Sequence, residues 1–166
     1  MNKKTRKLTL SALFSALCVV TLYIASVWPT GQYGIVAFAS LFIAASVIET
    51  GLKQGIYVFI VTSALALLLL PDKSAALLHI LFFGYYPILK ILIEKVKSTV
   101  VRWFLKLLIF NAPLTIIWFL FKMLLPAFGE NVPAAAIIYL FGNVVFILFD
   151  IGYSKLLRLY EYRLRS

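Results

Sequence analysis

The sequence has 166 residues, 63% of them hydrophobic, with a mean hydropathy of +1.01. A water-soluble domain of this length cannot hide so much apolar surface, which excludes a soluble globular fold and leaves an integral membrane protein. The net charge of +10, from 16 Lys and Arg against 6 Asp and Glu, falls in short clusters between apolar runs; that distribution is a topology signal, and no basic groove interleaved with aromatics points to nucleic acid.

The first segment, residues 3–7, is basic. The apolar run behind it, residues 8–28, is longer than the h-region of a signal peptide and is followed by no small-x-small cleavage site, so it is expected to stay as the first transmembrane span. Within it Ser11 and Ser15 lie four apart, as do Ala12 and Ala16, a spacing that lets helices approach closely, either internally or against another membrane protein. The single cysteine, Cys18, rules out an internal disulfide and reads as a small buried hydrophobe.

Pro29, Gly31 and Gly34 break this span. A second span is expected over about 35–52 and a third over about 54–71, joined by the polar turn from Glu49 to Gly55. Their clear apolar cores, residues 35–48 and 56–70, make only about 21 Å of helix against a hydrocarbon layer of about 30 Å. Either their ends run on into the polar turn, or the two form a re-entrant pair. Pro71 stops the third span, and Asp72 or Ser74 is placed to cap a fourth over about 75–93. A polar, basic stretch from Glu94 to Arg102 precedes a fifth span over about 103–125. A loop bracketed by Pro126 and Pro133 leads to a sixth over about 134–155 and a basic tail.

The expected fold is therefore all-α, one transmembrane domain of about six spans over residues 1–166. With the N-terminus inside and every span crossing, Lys3, Lys4, Arg6, Lys7, Lys53, Lys90, Lys95, Lys97, Arg102, Lys106, Lys155, Arg158, Arg163 and Arg165 fall on the inner face. Lys73 and Lys122 alone fall outside. That split is the positive-inside pattern, with both ends in the cytoplasm. An odd number of spans would strand a large cluster outside, but the tally is blind to whether spans two and three both fail to cross.

Catalytic chemistry finds little to work with. His79 is the one histidine, so no paired-histidine metal site exists, no Ser/His/Asp set assembles at one depth, and no glycine-rich phosphate loop is present. We expect no enzyme activity, no cofactor and no metal; energy for any active transport must come from a partner or an ion gradient. A midplane carboxylate, which a proton relay or channel would want, is missing.

Polar residues at membrane depth are costly and so informative. Asn111, near Pro113, and Asn143, next to Gly142, lie mid-span in the fifth and sixth segments, expected to be antiparallel neighbours. Tyr85 and Tyr86 sit between Gly84 and Pro87 at the middle of the fourth. These residues form either a binding pocket or interhelical hydrogen bonds, which also serve the carbonyls freed by Pro87 and Pro113. On the outer side Gln32, Tyr33, His79 and Asn131 are candidates for a solute site, while Trp28, Lys73 and Lys122 read as interfacial anchors. On the inner side Glu49 has Lys53 four residues on, and Lys90 or Lys155 is expected to neutralise Asp150.

The run Arg6-Lys7-Leu8-Thr9-Leu10-Ser11-Ala12-Leu13-Phe14-Ser15-Ala16-Leu17, with the six-span layout, resembles the substrate-binding S components of energy-coupling factor (ECF) transporters. The resemblance implies a solute-binding subunit of the bacterial cytoplasmic membrane that captures a small vitamin-like molecule. In that family a transmembrane coupling subunit and ATPases supply the energy. Ala12 and Ala16, with Ser11 and Ser15 beside them, would meet the coupling subunit, and the loop from Pro29 to Gly34 would help cap the substrate. The alternative is a scaffold subunit of a cell-envelope complex, whose polar residues only join helices.

Overall fold

The computed structural model describes residues 2–28, 30–124 and 132–165; for residues 120–124, 132–135, 161 and 163–165 only the backbone is described. The molecule is about 90% helical with no strand among the described residues, and six of its helical segments are long and apolar enough to cross a membrane. It is an all-α, multi-pass membrane protein. The chain divides into two compact units, Met1–Leu92 and Ile93–Ser166.

The first unit begins with α1 (Lys3–Val27), whose N-terminus is capped by Asn2, the side-chain oxygen accepting from the Lys4 N–H at 3.3 Å. Helix α2 (Gln32–Thr50) follows a turn in which Gly31 takes a φ of +85°, and α3 (Leu52–Leu69) follows Gly51, whose φ of +105° reverses the chain in one residue. Both helices run into the polar turn, from either side of Gly51. At 19 and 18 residues they span about 28 and 27 Å, which is how apolar cores of 14 or 15 residues reach membrane length.

The fourth crossing is not a uniform helix. It starts as α4 (Lys73–Leu78), relaxes into a π-helical turn over His79–Phe83, closed by the Gly84 N–H donating to the His79 carbonyl at 2.6 Å, and resumes as α5 (Tyr86–Ile93). Gly84 is required where it stands: a Cβ there would come 2.7 Å from both the His79 carbonyl oxygen and the Phe59 ring. Upstream, the Lys73 ammonium donates to the carbonyls of Leu67 and Leu70 at 2.7 and 2.8 Å, satisfying backbone that α3 leaves open at its end.

The core of this unit is built from Cys18, Leu22, Val36, Ile43, Val58 and Leu70, with alanines 25, 39, 66, 75 and 76 where helices come closest. Small residues at the contacts are what lipid-embedded helices need, because close van der Waals packing replaces the hydrophobic drive. Gly55 of α3 is the tightest case, since a Cβ there would run into Cγ2 of Val47 on α2.

The second unit is a helical hairpin of α6 (Thr99–Leu124) and α7 (Val132–Arg165). Its two helices are antiparallel neighbours, as their contacts demonstrate. Lys106 meets Asp150, Phe110 stacks on Phe146, Asn111 pairs with Asn143 and Tyr139 bonds Thr115, so that the α6 number rises as the α7 number falls.

Candidate functional site

In the first unit the segment between α1 and α2 is tied to the start of α4. Gln32, the first residue of α2, donates from its amide nitrogen to Asp72 Oδ2 at 2.5 Å and to Ser74 Oγ at 3.2 Å. Asp72 also caps α4, its Oδ1 accepting from the Ser74 N–H at 2.8 Å and its Oδ2 from the Ser74 hydroxyl at 2.5 Å. These donors hold the Asp72 carboxyl below its ordinary value of 3.8, the Ser74 hydroxyl contributing most, then the Ser74 N–H, then Gln32.

One to two turns further along the same crossing lies His79, with no exposed surface. Its Nε2 is 3.1 Å from Thr62 Oγ1 of α3, and the Phe59 ring stands 6.1 Å away, centroid to centroid. The Thr62 hydroxyl also lies 3.1 Å from the Phe59 carbonyl, and the tautomer of the ring sets which partner donates between Thr62 and Nε2. Nδ1 has no hydrogen-bond partner; it and Ser63 Oγ are the two buried side-chain polar atoms in that position among the described residues. Each such atom costs about 1–3 kcal/mol, and the π turn that carries His79 is itself an uncommon element concentrated at functional positions.

The remaining candidates of this unit fall apart from that pair. Tyr33 is 68% exposed and takes no part in the Gln32 cluster. Tyr85 is half-buried, while Tyr86 is buried with the Lys90 ammonium 5.8 Å over its ring. The small residues of α1 divide. Ser11 is buried and donates to the Lys7 carbonyl, Ser15 is half-buried and donates to the Ser11 carbonyl, and Ala12 and Ala16 face outward, uncovered.

In the second unit Asn111 and Asn143 are brought together as a reciprocal amide pair, at 2.8 and 3.0 Å. The second hydrogen of each amide goes to its own helix, from Asn111 to the Leu107 carbonyl and from Asn143 to the Tyr139 carbonyl, both at 2.8 Å. All four amide hydrogens are therefore used within the hairpin, and a solute gains one only by displacing a bond. Neither bonds the carbonyl that Pro113 leaves without its helical donor, that of Ile109. Asn131 lies outside the described residues.

Asp150 is held by Lys106, at 2.7 Å in a buried pair, in which the expected Lys155 takes no part. Thr62 and Lys106 are the two partners that reading the sequence overlooks. A signal for Lys106 does exist: if Asn111 faces Asn143 in an antiparallel hairpin, residue 106 falls within a turn of residue 150. Thr62 has none, being one hydroxyl in an apolar helix. Among the described residues no group of three His, Cys, Asp or Glu side chains is placed to hold a metal ion. Comparisons with protein-family models, curated proteins and solved structures found no match.

Proposed function

We propose that this chain is a solute-binding subunit of the bacterial cytoplasmic membrane, similar to the S components of ECF transporters. Its solute site lies in the first unit around His79. The unpartnered Nδ1 of a fully buried histidine, on a π-helical turn, carries the reading. A buried polar atom left open at that cost is kept where a bound molecule completes it. The surroundings, Phe59 and Thr62, suit a small aromatic-bearing molecule with one polar group to meet Nδ1. Gln32, Asp72 and Ser74 form a polar latch between the first outer loop and the second, and solute entry requires it to open.

The charge tally supports six crossings with both ends inside, which puts this latch on the outer face. The uncovered Ala12 and Ala16 support docking of a transmembrane coupling subunit on α1, with partner ATPases supplying the energy. The reading gives the chain no catalytic step and no cofactor of its own.

The scaffold alternative is favoured by one observation, the closed Asn111–Asn143 pair, which acts as glue and needs no ligand. A thermal-shift screen of purified protein against vitamin-like molecules, repeated on His79→Leu, separates the two. The solute-binding reading predicts that one ligand raises the midpoint of the wild type and leaves His79→Leu unmoved. No response from any ligand, with no coupling subunit co-purifying, would favour the scaffold.

A further inference from the structure

A second polar feature lies wholly within the hairpin and is independent of the solute-binding reading. The first turn of α6 and the C-terminal stretch of α7 enclose a cleft of about 440 Å³. Four cations line it, Arg102, Lys106, Lys155 and Arg158, against two carboxylates, Glu94 and Asp150. The carboxylates are occupied. Both hold the Lys106 ammonium, Asp150 at 2.7 Å and Glu94 at 3.6 Å. Trp103 closes over the same ammonium at 5.2 Å. Arg102, Lys155 and Arg158 are left with no ion-pair partner among the described residues.

The cleft thus keeps a net charge of +2. Like charges gathered around a concave wall repel one another unless an anion joins them. Arg102 is already oriented, one guanidinium nitrogen donating to Thr99 Oγ1 at 2.8 Å, and both residues belong to the first turn of a 26-residue helix, whose dipole also favours an anion.

We infer that this cleft binds a phosphate group, with Arg102 and Arg158 as its principal ligands and Lys155 as a supporting charge. A phosphate monoester carries about 1.5 to 2 negative charges near neutral pH, which matches the excess, and guanidinium forks suit its tetrahedral oxygens better than a halide. The group can arrive on a small soluble molecule or on a phospholipid headgroup; the chemistry of recognition is the same.

The test uses full-length protein in phosphatidylcholine nanodiscs, with Trp28→Phe and Trp118→Phe so that Trp103 alone reports. One arm titrates inorganic phosphate; the other replaces part of the lipid with phosphatidic acid. The expected result is a saturable change in Trp103 emission that potassium chloride at equal ionic strength does not give. A response in the first arm identifies a soluble phosphate, and a response in the second alone identifies a headgroup. Arg102→Gln with Arg158→Gln should weaken either about tenfold or more, while the paired Lys substitutions retain part of it. Circular dichroism checks that each variant is folded, and native mass spectrometry of the wild type provides a readout free of substitutions, with retained phosphate or phosphatidic acid expected. A chloride response equal to that of phosphate, a folded Gln variant that binds like the wild type, or silence in both arms with nothing retained would overturn the assignment.

Discussion

His79 and the asparagine pair show how polar residues at membrane depth lead to opposite expectations. In Asn111–Asn143 every amide hydrogen is used. Replacing Asn111 alone by Leu strands its partner and should cost about 1–3 kcal/mol. The double replacement should cost less than the sum of the singles, with a coupling of about 0.6–1.7 kcal/mol. Unfolding of the four species in detergent measures this, and strict additivity would contradict the pairing. At His79 the balance is reversed, because the wild type carries the unsatisfied atom. His79→Leu should keep its melting temperature or raise it while losing the ligand response; a collapse of the fold would make the histidine structural. Asp72 supplies a pH test. Its folded pKa is depressed, so its contribution is fully present above the ordinary value of 3.8 and is lost as pH falls through the lower, folded value. Melting temperature recorded from pH 5 downward should therefore fall less in Asp72→Asn than in the wild type, and parallel profiles would contradict the latch.

At the scale of helices, the sequence and the structure agree where the physics is local. Pro71 and Gly51 stop or reverse helices on their own account, and Asp72 caps α4 as its position suggested. The doubtful pair α2 and α3 reads short because hydropathy counts only apolar residues, whereas Thr50, past the apolar core of α2, bonds the Ser46 carbonyl of its own helix and stays buried. What was not legible is the π turn. Gly84 and Pro87 mark a weak point in the fourth crossing, but the close approach of Phe59 to Gly84 comes from α3, distant in sequence. The same holds for Lys106, whose partner lies on another helix. Close helix packing gives its own prediction. Gly55→Ala should destabilise the first unit by about 1–3 kcal/mol, because the new Cβ meets Val47. Adding Val47→Ala should restore part of the loss in thermal unfolding, and a Gly55→Ala protein as stable as the wild type would refute the close approach.

For the whole molecule, six helices of membrane length fix the class, and the distribution of cations is the ground for the proposed orientation. The proposed outer-face role of the latch at Asp72 rests on that tally. The least secure crossings by hydropathy, α2 and α3, are also the ones the tally does not test. Position 53 resolves them, because it lies inside only if both cross. The decisive measurement is membrane-impermeant thiol labelling of intact cells. It uses a Cys18→Ala background carrying, one at a time, Thr30→Cys, Lys53→Cys, Lys97→Cys or Glu130→Cys. We predict that positions 30 and 130 react, and that 53 and 97 react only after the membrane is opened. Labelling of position 53 from outside, or silence at 30 and 130, would contradict the six-crossing arrangement.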